Sequence, residues 1–385
     1  LSELKGFSVD LNARVHDLSE MKNEGQRIVG YIPNGYMPEE LISACEAVPI
    51  ALFRGGESRP VTASLACLGR FLDPFCRAQI GYRQLKQEVP YQGLDLLVIP
   101  VTDNHMRAIA DSWDFYSDVE VLRFGVPHAK TDHALAYYRE GLHLAKERLE
   151  NLTGTSITDQ RLREEIDLSN TMRDLLRKIS LMRKSVPSPL GGKDFIELNH
   201  ACLCGDKSIM VETLKSFCNE LGEGEAPAQM GPRVLLTGST LALGDDKVIE
   251  LLEGSGASIV IEEFSEGMKN YWEDVEINGD LIHALADCYF MRSVPGAFFR
   301  GAAKERFDFL LNLIKGFMVN AVVWYSLMYR DSYDVEGYLF SRVMEKLNMP
   351  LLRISSDYDD TEKTALQTRI ETFVEAIGSG QKYVF

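Results

Sequence analysis

The chain has 385 residues, of which 45% are hydrophobic and 25% charged, with seven cysteines and a formal net charge of −16. That length exceeds one ordinary core, so two or three domains are expected. The acidic balance argues against a nucleic-acid partner, which calls for a basic footprint, but it leaves room for a local basic pocket. With no run of 18 apolar residues, no transmembrane helix and no membrane partner are expected. The start, LSELKGFSVDLNARV, has no basic region followed by an apolar one, so no signal peptide is expected and the chain reads as cytoplasmic. Seven scattered thiols then read as reduced cysteines or metal ligands rather than a disulfide framework.

The elements alternate from the start. A polar helix near Val9–Asn23 precedes strand RIVGYIPN (Arg27–Asn34). Pro38-Glu39-Glu40 opens a helix, with proline and acids where a first turn prefers them. Strand PIALFRG (Pro49–Gly55), a helix over Leu65–Leu85 and strand LDLLVIPV (Leu94–Val101) follow. Next come a helix over Asn104–Tyr116 and strand EVLRFGV (Glu120–Val126). Strands alternating with helices predict a parallel sheet covered on both faces.

From Asp132 to about Leu221 the pattern is helical. One long helix ends at Gly154, and a second has Thr158 or Asp159 as its N-cap. SVPSPLGG (Ser185–Gly192) is a break, and EGEAPAQMGP (Glu223–Pro232) is a connector rich in small residues. The strand–helix rhythm then returns. Strands are expected at Arg233–Thr240, Ala257–Phe264, Asn320–Leu327 and Met349–Tyr358. The helices between and after them are DDKVIELLEGSG, Leu281–Phe290, Lys304–Met318, YLFSRVMEKLN and Thr364–Gly378. The predicted fold is α/β: two doubly wound parallel-sheet (Rossmann-like) domains, residues 1–131 and 231–385, joined by a helical segment and connector at 132–230. A cleft between them facing the strand carboxyl ends is the default binding site.

Several side chains fall at such ends. Phe53-Arg54-Gly55-Gly56-Glu57-Ser58-Arg59 combines permissive glycines with two cations; it reads either as a contact for an anionic ligand through Arg54, Glu57 and Arg59 or as an ordinary basic turn. Gly238-Ser239-Thr240 lacks both G-x-x-x-x-G-K and G-x-G-x-x-G, so no nucleotide fingerprint is present. Cys202 and Cys204 form a C-x-C beside His200, either metal ligands or incidental thiols. Cys45, Cys218 and Cys288 sit on apolar helix faces and read as core. His105 is a pocket acid or base, or a surface histidine at a helix start. Trp324 and the tyrosines of Tyr325–Tyr338 read as core, or as a pocket wall.

Taken together, GY at Gly30-Tyr31, PEELI at Pro38–Ile42, LDLLVIPVTD, the helical YYREGLHLAKERLENLTGTSITDQRLREEI, RVLLTGSTLALGDDKVIELLEGSGASIVIEEF and YSLMYRDSYDVEGYLF resemble the catalytic subunits of 2-hydroxyacyl-CoA dehydratases and benzoyl-CoA reductases. The resemblance runs nearly end to end. It implies a dimer of related subunits, a [4Fe–4S] cluster in the interdomain cleft, and an ATP-hydrolysing iron–sulfur activator that injects one electron. The cluster supplies radical chemistry: a ketyl of the thioester-activated acyl group loses its 2-hydroxyl, or an aromatic ring is reduced. Three cysteine positions are implied. The first falls on Cys76, with Cys67 as an alternative. The second falls on Thr102 and the third on Arg330, and a further cysteine-bearing turn falls on Gly296-Ala297.

Arginine has five donors and no lone pair for iron; it suits a carboxylate or phosphate. Threonine is a hard, poor ligand for such a site. The following acids, Asp103 and Asp331, are expected to cap helices or to act in catalysis, and Asp103 and Arg330 to pair across the cleft where the cluster would lie. The resemblance therefore implies one subunit of a dehydratase or reductase with a degenerate cluster site, its related partner carrying the competent cluster. The alternatives are a cluster-free binding or assembly protein on the same fold, and an enzyme with a different cluster arrangement using Cys76 with Cys67 or thiolates from another chain.

Overall fold

A computed structural model describes residues 11–86, 89–223 and 231–379. Val9, where the first predicted helix begins, and most of the Glu223–Pro232 connector lie outside the described residues. Among the described residues, eight strands form two parallel four-stranded sheets. The first holds β1 (Ile28–Tyr31), β2 (Val48–Ala51), β3 (Leu96–Val101) and β4 (Glu120–Gly125) in the order β2-β1-β3-β4. The second holds β5 (Arg233–Gly238), β6 (Ser258–Glu263), β7 (Ala321–Leu327) and β8 (Leu351–Ser356) in the order β6-β5-β7-β8. The two orders are the same. Each chain path runs outward from its first strand, then crosses back, which places a switch point between β1 and β3 and another between β5 and β7.

The helices are α1 (Leu11–Asn23), α2 (Glu40–Ala44), α3 (Ser58–Ala63), α4 (Pro74–Leu85), α5 (Val89–Gln92) and α6 (Asn104–Tyr116) around the first sheet. The helical segment is α7 (Asp132–Thr153), α8 (Asp159–Met182), α9 (Gly192–Cys204) and α10 (Lys207–Glu223). Around the second sheet lie α11 (Lys247–Gly254), α12 (Leu281–Ala286), α13 (Ala303–Gly316), α14 (Asp331–Leu347) and α15 (Lys363–Gly378). Local chemistry sets many of these bounds. The Thr131 and Thr158 hydroxyls accept from the N–H groups of Ala134 and Arg161 and cap α7 and α8. Gly154 closes α7 in the left-handed region at φ 74°.

Three predicted helices differ. Leu65–Leu85 is not continuous: α3 runs into a short 3-10 turn at Ser64–Ala66, the chain loops, and α4 restarts at Pro74 behind its cap Asp73. Proline at the first helical position with an aspartate cap before it is a start signal, so the chain cannot run through as one helix. Leu281–Phe290 is α-helical only to Ala286 and continues as a π turn over Asp287–Arg292. The helix predicted from Tyr338 begins a full two turns earlier, at Asp331.

β5 shows why both faces of each sheet are covered. Val234 and Leu236 pack into one cluster, while Leu235, between them, packs into the other. The first cluster contains Val29 and Leu97 of the first sheet as well as Val234 and Val323 of the second, so one core is continuous between the two α/β units. The backbone joins them too: Gly55 N–H donates to Leu243 O at 2.9 Å and Leu243 N–H donates to Phe53 O at 3.0 Å. Gly56 holds φ 78° there, and a Cβ on it would come within 2.0 Å of Gly244 O, so only glycine fits. Helix α8 is tied to both units by Arg173, which donates to Glu40 of the first at 2.5 Å and to the Tyr289 hydroxyl of the second at 2.7 Å.

Candidate functional site

The carboxyl ends of β3 and β7 are equivalent positions in the two sheets, and they face each other. β3 runs into Thr102 and Asp103, then α6; β7 runs through Tyr329 and Arg330 into α14. Helix α4 also begins here. Each helix start presents unpaired N–H groups and a partial positive charge. Two aspartates answer this. Asp73 accepts through Oδ1 from Cys76 N–H at 2.7 Å. Asp103 accepts through Oδ1 from the N–H groups of His105 and Met106, at 2.8 and 3.1 Å. Each turns its other oxygen toward Arg330: Nη1 lies 3.2 Å from Asp73 Oδ2, and Nη2 lies 3.3 Å from Asp103 Oδ2.

The seat is dry. Side-chain exposure is 7% for Arg330, 1% for Asp73 and 16% for Asp103. Burial disfavours the Arg330 charge, but Asp103 and Asp73 together outweigh it and raise the pKa further above its ordinary value. Burial likewise works to raise the Asp73 carboxyl, but Arg330, His105 and the Cys76 N–H together hold it below the usual range. His105 Nδ1 lies 2.9 Å from Asp73 Oδ2. Burial lowers the imidazolium pKa, yet Asp73 more than compensates and leaves it raised. The guanidinium also stands over the Tyr333 ring, 5.4 Å from its centroid.

The fold therefore gathers Cys76, Thr102, Asp103, His105 and Arg330, and adds Asp73. Asp103 caps its helix and pairs with Arg330, so both of those expectations describe it. His105 is a charge partner of Asp73, not a free surface histidine. Asp331 is exposed, and Arg330, not Asp331, holds the cap position of α14. Asp73 escaped the sequence reading, although Asp-Pro before an apolar helix was a visible cap signal. Its ion partner lies 257 residues away, beyond any local pattern.

These residues do not fit a cluster held by cysteine thiolates. Cys76 is fully buried, its thiol donates to His105 O at 3.1 Å, and burial with the charge of Asp73 pushes its pKa well up. The other two implied positions hold a hydroxyl and a fixed cation. Cys67, the alternative, accepts from Gln84 Nε2 at 3.0 Å, and its pKa is also raised by burial. Gly296-Ala297 brings no thiol. Among the described residues, no three His, Cys, Asp or Glu side chains are grouped to hold a metal ion.

The remaining candidates lie outside this group of paired charges. Arg54 pairs with Glu57 at 2.9 Å and lies 5.4 Å from the Tyr82 ring centroid, beside the Gly55–Leu243 contact between the units; Arg59 is exposed. Ser239 is buried, and its hydroxyl accepts from Leu327 N–H at 3.0 Å. His200 is buried edge-on to Phe53 at 5.1 Å, and burial pushes its pKa down to about 4. Cys202 and Cys204 are buried on α9; Cys202 lines a cavity of about 30 Å³, with room for a water or two and no more. Trp324 and Tyr325 are buried in the second sheet; the Tyr325 hydroxyl donates to Asp245 at 2.7 Å.

Comparison with known proteins agrees with this architecture. A family model described as 2-hydroxyglutaryl-CoA dehydratase, D-component, matches residues 34–377. A protein of Escherichia coli (strain K12) named "Putative dehydratase subunit YjiM" is 24% identical, over 93% of each chain. A benzoyl-CoA reductase subunit of Thauera aromatica is 21% identical over 91% of each. The (R)-phenyllactyl-CoA dehydratase beta subunit of Clostridium sporogenes is 18% identical over 95% of this chain and 96% of its own. A model that spans nearly the whole chain, on two sheets with matching strand order, settles the assignment: the chain belongs to the 2-hydroxyglutaryl-CoA dehydratase D-component family.

Proposed function

We propose that this chain is one subunit of an acyl-CoA dehydratase or acyl-CoA reductase, with the [4Fe–4S] cluster in a related partner subunit and electrons delivered by an ATP-hydrolysing iron–sulfur activator. Membership of the family supports the reading, as do relatives named as subunits of enzymes acting on acyl-CoA thioesters. The observation that carries the division of labour is Arg330, seated between Asp73 and Asp103 at the meeting of the strand ends.

In the assembly a cluster held by the partner would supply single-electron chemistry on the thioester-activated acyl group. This chain's residues do other work. The Gly55–Leu243 contact and the Arg330 pairs hold its two α/β units together and keep water from the strand ends. Arg59, exposed at the first turn of α3, is the cation we assign to the CoA phosphates, while Arg54 is held by Glu57 and Tyr82.

The test is strictly anaerobic purification of the chain alone and with any co-purifying related subunit, followed by iron, acid-labile sulfide and acyl-CoA binding measurements. No iron in this chain, with iron and acyl-CoA binding in the pair, is the expected result. A pair that holds iron but ignores acyl-CoA, or a chain that never pairs, refutes the reading. A chain that never pairs and holds no iron would leave the cluster-free binding or assembly protein in its place.

A further inference from the structure

Three helix starts meet at one point between the sheets, and two of their capping carboxylates are shared with a cation from the opposite unit. Asp73 and Asp103 belong to the first unit; Arg330 belongs to the second. Each carboxylate divides its oxygens, one to its own helix and one to Arg330. The guanidinium cannot give up its proton at any working pH, and it has no lone pair to offer a metal.

The approach to the seat is also built. Tyr329 holds φ 70°, a left-handed conformation that side chains other than glycine rarely adopt. That turn ends β7 and points the Arg330 side chain across to the first unit. Its ring stacks edge-on with Phe71 of the first unit, centroids 5.9 Å apart, beside the buried pair. Phe71 is 75% exposed and Tyr329 37%, so the stack lies at the surface and the ion pairs beneath it.

The geometry points to a clamp: Arg330 is a tethered cation that occupies the strand-end seat, holds the two α/β units closed over it, and excludes a metal cluster from it. The clamp stands on this chain's own side chains. Only its consequence, that the redox centre lies in a partner, rests on the subunit reading above. Opening the cleft must separate Arg330 from two carboxylates that are already turned from water. Removing Arg330 leaves those carboxylates facing three helix starts, which is a seat for a small planar cation.

The experiment uses the full chain, wild type and two variants. Wild type and the Thr102→Cys/Arg330→Cys double variant are incubated anaerobically with ferrous iron and sulfide. Wild type and Arg330→Ala are compared by hydrogen exchange at residues 73–76, 103–106 and 330–334, with and without methylguanidinium. Wild type is expected to take no cluster and the double variant to take one, of about four irons. In Arg330→Ala, exchange at the three segments is expected to rise on the order of a hundredfold. Methylguanidinium, but not methylammonium, is expected to reverse that rise.

A wild-type chain that takes about four irons overturns the clamp whatever the variants do, so the test survives a variant that fails to fold. Unchanged exchange in a folded Arg330→Ala overturns it as well. A chain that takes no iron and is protected by Arg330, yet never pairs with a related subunit, sinks the subunit reading and leaves the clamp standing.

Discussion

Arg306 and Arg330 are both buried arginines flanked by two carboxylates, and they differ in where those carboxylates come from. Arg306 on α13 meets Glu263 at 2.8 Å and Glu336 at 3.1 Å, one at the end of β6 and the other on α14, all within the second unit. It also faces the rings of Trp324 and Tyr333. Arg330 takes both of its carboxylates from the first unit. The first network forms whenever the second unit folds. The second forms only when two folded units dock, so it reports their arrangement. Similar chemistry thus serves a core in one place and a junction in the other.

The sharpest way to break the comparison is Arg306→Met. It strands Glu263 and Glu336 in the core, at a cost of roughly 3–5 kcal/mol. The urea midpoint followed by tryptophan fluorescence should fall, and the loss should spread through the second unit. An unshifted midpoint would show that Arg306 is no core element.

Asp73→Asn should come next, with a loss of about 2–3 kcal/mol for removing one fully buried charge from Arg330 and His105. Asp103→Asn, in a wetter position, should cost about 1 kcal/mol. Both losses should appear in hydrogen exchange at the junction and not in the core of the second unit. Equal losses for the two would contradict the difference in burial.

A smaller effect is set by pH. The folded pKa of His105 is raised, so its contribution is fully present below about pH 6.5, its unfolded value. It is lost as pH rises through the folded value. Asp73 is depressed, so its contribution is present above about pH 3.9 and lost as pH falls through the folded value. The groups facing His105 are Asp73, Arg330 and Asp103. Glu266 has a folded value of about 7, raised by burial, so its share is fully present only below about pH 4.3, its unfolded value, and is lost as pH rises through 7. The junction should therefore be tightest near pH 4, weaken as Glu266 ionises toward pH 7, and weaken further above about pH 6.5 as His105 loses its proton. His105→Gln should flatten part of the alkaline fall and leave the Glu266 share; an unchanged pH profile would rule His105 out.

The smallest effect belongs to the surface. Arg342 pairs with Glu345 and lies over Tyr338, all exposed, and Arg342→Ala should leave the urea midpoint in place. A clear shift would mean that α14 is covered in the native assembly.

Much of this was legible in advance where the cause is local. Helix α6 begins and ends where its pattern says, because Asp103 caps it and its apolar side is buried against the first sheet. The four-strand rhythm in each half is read directly from apolar runs. The loop between α3 and α4 was missed because apolar residues at helical spacing ran across it; Asp73-Pro74 held the contrary signal. At the site, Arg330 was already the wrong residue for iron and the right one for a carboxylate, and Asp103 was its expected mate. Asp73 and His105 were not legible as its company, since cap residues look alike whether or not a cation arrives from elsewhere.

By itself, then, the sequence determined the α/β alternation, the caps of α6 and α8, the family and the unsuitability of Thr102 and Arg330 as soft ligands. These follow from periodicity and side-chain chemistry, which act within a few residues. Only the tertiary structure decided that β3 and β7 end face to face and that Arg330 lies between Asp73 and Asp103. It also decided that Cys76 is sealed behind them. The physical reason is that an ion pair across 257 residues costs nothing and shows nothing in the separate segments. It exists only once two sheets have docked and shut out the water that would otherwise solvate both charges.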